Sequence, residues 1–110
     1  MKLPKKWWEV YPQGTKEGDE ESAFFLAIER HPTYVFRSIA MIAKESKLSV
    51  ERVEEIISKY AKYKIVVPHP KPKNESNWGY WERVIVEFPE LFQSNNTLAQ
   101  KDHDKRIKGN

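Results

Sequence analysis

The chain has 110 residues, of which 39% are hydrophobic and 32% charged, with a mean hydropathy of −0.76, room for one domain with a modest core and not for two. No apolar run approaches the roughly 20 residues of a membrane span, the first residues lack the apolar stretch of a secretory signal, and zero cysteines exclude disulfides, thiolate metal sites and cysteine nucleophiles. A net charge of +3 permits an anionic partner without requiring one, and the expectation is a cytoplasmic, intracellular protein with no membrane partner.

Residues 1–18 read as an amino-terminal arm. Pro4, Pro12, Gly14 and Gly18 oppose a continuous helix, while Trp7, Trp8, Val10 and Tyr11 are too apolar for a free tail, so the arm is expected to lie across the core. Asp19 reads as an N-cap, with Glu20 and Glu21 suiting a positive helix start, and the run from Ala23 to Ile28 continues a buried helix that Pro32 stops. Tyr34-Val35-Phe36 suits a very short strand. Ser38 caps a second helix, Lys47-Leu48 makes a tight turn, and Ser49 caps a third helix whose buried side is Val50, Val53, Ile57 and Tyr60. Ile65-Val66-Val67 has strand character, Pro68 to Asn77 is a loop, and Trp78 to Phe88 alternates as a returning strand. Ser94 to Asn110 is a polar stretch with charges of both signs, expected to be a flexible tail.

The segment from Asp19 to about Phe88, two-thirds of the chain, resembles the winged helix-turn-helix superfamily. The residues that carry the resemblance are Ala43 within the second helix, Leu48 and Ser49 at the turn, Val53, Ile57 and Tyr60 on the third helix, and Ile65-Val66-Val67 opening a wing. It implies an α+β fold: a three-helix core with a β-hairpin wing over residues 19–93, between the arm and a tail from 94 to 110. One departure is Lys64, where such domains often carry glycine between the third helix and the wing; a helix running on through Tyr63 would avoid a left-handed lysine.

In a DNA-binding member of that superfamily the third helix enters the major groove and the wing touches the backbone or minor groove. The basic excess lies in the right place, since residues 37–70 carry seven basic side chains against four acidic ones. Candidate duplex-DNA contacts are Arg37, Lys44 and Lys47 around the second helix, Arg52 and Lys59 on the flank of the third, and Lys71, Lys73 and Arg83 on the wing. The exposed stripe of the third helix is less suited to a duplex. It carries Glu51, Glu55, Ser58 and Lys62, with Glu54 beside it, and two like charges four residues apart repel each other and the phosphates. An expected Glu55–Lys59 pair and the positive helix start account for these glutamates structurally; a basic protein surface accounts for them functionally.

Two functions follow. One is a small DNA-binding protein, a transcription regulator or accessory factor in a DNA transaction. The other is a protein-interaction module docking through Glu51 and Glu55 or through exposed Trp78 and Tyr80, with a foreign protein or a second copy of the chain as partner. The alternative for Trp78 and Tyr80 is that Trp7 or Trp8 covers them. His69, between Pro68 and Pro70, is expected exposed on its loop, and His31 to end the first helix as a favoured cation. The three histidines show no paired spacing, no glycine-rich phosphate loop or nucleophile motif is present, and neither catalysis nor a metal or other cofactor is expected.

Overall fold

The computed structural model describes residues 3–71 and 77–92; Lys73 and the tail from Ser94 lie outside the described residues. Five helices and three strands follow one another in the order α1 (Trp7–Val10), α2 (Lys16–Glu29), β1 (Phe36–Ser38), α3 (Ile39–Ser46), α4 (Val50–Ala61), β2 (Val66–Pro68), β3 (Asn77–Tyr80) and α5 (Trp81–Glu87), with a 3-10 turn at Pro89–Phe92. The fold is a small α+β arrangement. β3 is the central strand of an antiparallel sheet ordered β1–β3–β2, so the last strand in the sequence lies between the other two. Phe36 pairs with Gly79 on one side and Val67 pairs with Gly79 on the other.

The helix starts follow side-chain oxygens. Thr15, rather than Asp19, caps α2: its hydroxyl accepts the Gly18 N–H at 2.9 Å and donates to the Pro12 carbonyl at 2.6 Å. Gly18 lies inside the helix, because the arm crosses it so closely that a Cβ there would stand 2.0 Å from the Pro12 oxygen. Ser38 and Ser49 cap α3 and α4 as expected, accepting the N–H groups of Met41 and Arg52. The short strand sits two residues later than Tyr34–Phe36, since pairing with β3 begins at Phe36.

Both helix ends that turn the chain use lysine in the left-handed region, Lys47 at φ 63° and Lys64 at φ 61°. α4 does not run on through Tyr63. It closes with the Ile65 N–H on the Tyr60 carbonyl at 3.2 Å and the Lys64 N–H on the Ala61 carbonyl at 2.9 Å, a Schellman-type end in which Lys64 occupies the position that favours glycine.

The segment expected as one strand from Trp78 to Phe88 divides at Tyr80. Only Asn77–Tyr80 pairs in the sheet, and Trp81–Glu87 turns into α5. Trp81, Val84 and Phe88 recur at helical spacing, whereas strand alternation would send Trp81 to the face opposite Val84 and Phe88; the helix buries Trp81 and Val84 while leaving Val86 79% exposed.

The core is built from Phe24, Phe25 and Ile28 of α2, Ile42 of α3, Val53, Ile56, Ile57 and Tyr60 of α4, and Val66, Tyr80 and Val84 beyond it. Val50 is not part of it: at the first residue of α4 it is 44% exposed, and the buried stripe begins at Val53. The arm supplies the plug. Trp7 stacks on Phe25 at 5.2 Å, and Phe25 in turn meets Tyr60 and Tyr80 edge-on.

Replacing Lys64 by glycine should raise stability by up to about 1 kcal/mol, the left-handed strain relieved less the larger chain entropy glycine loses on folding. Urea titration checks this; an unchanged or lower midpoint contradicts it.

Candidate functional site

The face of α4 that points outward carries Glu51, Glu54, Glu55, Ser58 and Lys62, all exposed. Its flank faces α2, where Glu17, Glu20 and Glu21 follow one another along the neighbouring helix. The two cations of α4 are turned towards that row. Arg52 Nε lies 2.7 Å from Glu20 Oε1, with a second nitrogen 3.1 Å from Glu55 Oε1. Lys59 Nζ lies 2.7 Å from Glu21 Oε2 and 3.3 Å from Glu17 Oε2. Glu55 thus pairs with Arg52 and not with the expected Lys59, because Glu21 takes the lysine inward.

Glu21 is the centre of this seam. Expected merely to suit a positive helix start, it is 0% exposed, and its other oxygen accepts the Tyr60 hydroxyl. A buried carboxylate is tolerable only when both oxygens are occupied, and the pairing shapes its neighbours. Burial pushes the Tyr60 phenol well above the usual tyrosine range, and the hydrogen bond to Glu21 pushes it the same way. For Lys59, burial opposes the charge, but the bonds to Glu21 and Glu17 outweigh it and the pKa rises. The signal that locates Glu21 is already in the spacing: carrying the buried face of Phe24, Phe25 and Ile28 back one turn reaches it.

The structure separates the expected nucleic-acid contacts into two groups. Lys44, Lys47 and Lys71 are exposed and hold no ion pair among the described residues. Arg37, Arg52, Lys59 and Arg83 are engaged elsewhere. Arg37 is 6% exposed, donating to the Ala27 carbonyl at 3.2 Å and paired with Glu45. Arg83 lies on α5 rather than on a strand and donates to the carbonyls of Ile28, Glu29 and Tyr34. Carbonyls at the end of α2 carry partial negative charge, which is what draws both guanidinium groups there.

The aromatic alternative is corrected in part. Tyr80 is completely buried, its oxygen accepting the Trp7 N–H at 3.2 Å, and Trp78 is half-buried against the core. Trp7 covers the strand, whereas Trp8 is exposed. His69 is likewise packed rather than free, its ring 4.5 Å from Phe36 and 5.8 Å from Phe88. His31 follows the end of α2, and its Nδ1 accepts the N–H groups of Thr33 and Tyr34 at 3.1 and 2.9 Å.

Among the described residues no group of three or more His, Asp or Glu side chains is placed to hold a metal ion, and no helix is long and apolar enough to cross a membrane. Comparison with known proteins returns no match: no family model, no curated protein and no solved structure.

Glu21→Ala should cost about 2–3 kcal/mol, since it strands the buried Tyr60 hydroxyl and leaves a cavity; denaturant unfolding measures it, and a loss below half of that value contradicts the role given to the carboxylate. A second expectation concerns alkali. The Tyr60 and Tyr80 phenols are both raised in the folded state, chiefly by burial, so their contribution to stability is complete below the ordinary tyrosine pKa of about 10 and is lost as pH rises beyond it. Tyrosinate absorbance should therefore show a late phase that coincides with loss of helical circular dichroism, and late ionisation without unfolding contradicts it.

Proposed function

We propose that this chain is a small winged-helix module that works as a protein-docking adaptor, with the outer face of α4 set against a basic surface of its partner. Support for the winged-helix reading comes from the order α2, β1, α3, α4, β2, β3 and from the position of β3 between β1 and β2. It also comes from the close α3–α4 turn through Lys47, with Ala43 buried between the helices. The observation that carries the docking reading is the inward turn of Arg52 and Lys59. A helix that sends both its central cations to α2 and keeps Glu51, Glu54 and Glu55 outside presents negative charge where major-groove binding calls for positive. The apolar Val50 and Met41, both exposed at helix starts, add contact area of the kind interfaces use.

Duplex DNA is the second reading, favoured by the exposure of Lys44, Lys47 and Lys71. On that reading α3, its following turn and the loop after β2 contact phosphates, and α4 stays clear of the groove floor.

An amide chemical-shift titration of the whole chain separates the two. A lysine- and arginine-rich decapeptide at low salt should shift residues 50–62, and the combined Glu51→Lys and Glu54→Lys variant should remove the shifts; neither glutamate holds an ion pair among the described residues. A random duplex should leave the same residues unmoved. If the duplex instead shifts the amides around Lys44, Lys47 and Lys71 with an affinity that falls steeply as salt rises, the DNA reading replaces the adaptor.

A further inference from the structure

Between the C-terminal ends of α2 and α3 the surface opens into a hollow of about 330 Å³, at the lower end of the volumes that hold small molecules. We propose that it binds a small organic carboxylate with an apolar body and a separate hydroxyl or amino group able to donate a hydrogen bond. This is independent of the docking face on α4.

The floor is Ala23, Leu26 and Ala27. The two alanines stand four residues apart on one face of α2, and their short side chains leave the space that larger residues would fill. An apolar body displaces water from this floor at a gain.

The polar rim favours an anion. A helix C-terminus normally repels negative charge, since its last carbonyls are unpartnered. Here they are covered by guanidinium groups: Arg37 donates to Ala27, and Arg83 to Ile28 and Glu29. Arg30 adds another cation at the same helix end, on the wall of the hollow. Of the four arginines among the described residues, it is the one whose side chain makes no hydrogen bond or ion pair, and it is exposed.

His31 is the second donor. Because its Nδ1 receives two backbone N–H groups, Nε2 is the nitrogen left to donate. The ring stacks on Tyr34 at 5.2 Å and lines the hollow. Arg30 and His31 together offer a carboxylate two donors from adjacent residues. On the α3 wall Glu45, neutralised by Arg37 and half-exposed, keeps lone pairs for a donor elsewhere on the ligand. A ligand with a carboxylate alone leaves that acceptor unused.

The test uses trans-4-hydroxycyclohexanecarboxylate and its primary amide as probes, followed by amide chemical shifts of the whole chain. The carboxylate should give saturable shifts at residues 23–32 and 45–46. Binding should weaken by at least about tenfold for the neutral amide, and equally for the carboxylate with Arg30→Gln, a change at an exposed side chain that leaves the fold intact. Ala23→Leu, which fills the floor from a half-buried position, should abolish the shifts without lowering the melting temperature. No saturation at millimolar carboxylate, equal binding of the amide, or undiminished affinity in Arg30→Gln overturns the proposal. Because none of these readouts involves α4, they stand or fall separately from the adaptor reading.

Discussion

The buried carboxylate of Glu21 is the constraint on which the arrangement of charge depends. A carboxylate taken out of water must be met by donors on both oxygens, and α4 supplies them from adjacent positions, Lys59 and Tyr60. That fixes the rotation of α4 about its own axis relative to α2. With Lys59 and Tyr60 facing inward, helical geometry places Glu51, Glu55 and Lys62 outside and leaves Arg52 within reach of Glu20. The charge seam and the apolar stripe of Val53, Ile56 and Ile57 therefore demand the same orientation, and neither works against the other.

The aromatic plug sits one turn further along the same face of α2. Trp7 fills the space beside Phe25, gives its N–H to the Tyr80 oxygen and its indole N–H to Glu29 at 2.9 Å. Trp81 donates its indole N–H to the Lys5 carbonyl at 3.0 Å, so the arm and the start of α5 hold each other. Each buried indole or phenol has a polar partner, as large amphipathic rings in a small core require. An arm of one helical turn is thereby part of the core, and Tyr80, one of the two aromatics open to docking in the sequence reading, is spent on holding it.

How much of this was legible in the sequence depends on whether a residue's role is set locally. Ser38 and Ser49 announce α3 and α4 because an N-cap is decided within three residues. The stripe from Val53 to Tyr60 is legible because helical periodicity is local too. Thr15 was passed over for Asp19, since the turn at Pro12–Thr15 that makes it a cap depends on the chain crossing Gly18. Trp81–Glu87 carries two signals: Val84, Val86 and Phe88 alternate as in a strand, while Trp81, Val84 and Phe88 recur at helical spacing, and the sheet pairing stops at Tyr80. Lys64 shows the opposite failure. The left-handed cost is legible, yet the helix closes there all the same, with Lys64 at φ 61° and the Lys64 and Ile65 N–H groups on the Ala61 and Tyr60 carbonyls.

The same distinction governs charge. Counting lysines and arginines along residues 37–70 locates a basic segment but not a basic surface, because the count is blind to which guanidinium groups the fold consumes. Arg37 and Arg83 go to the carbonyls at the end of α2, and Arg52 and Lys59 to the carboxylates along its side. α2 thus draws cations at two places for two reasons, helix-end polarity and acidic side chains, and it removes from view four of the eight candidate nucleic-acid contacts. What is left outside is a set of scattered lysines and an acidic helix face. On the adaptor reading proposed above, such a surface discriminates between partners by complementary charge over a small area.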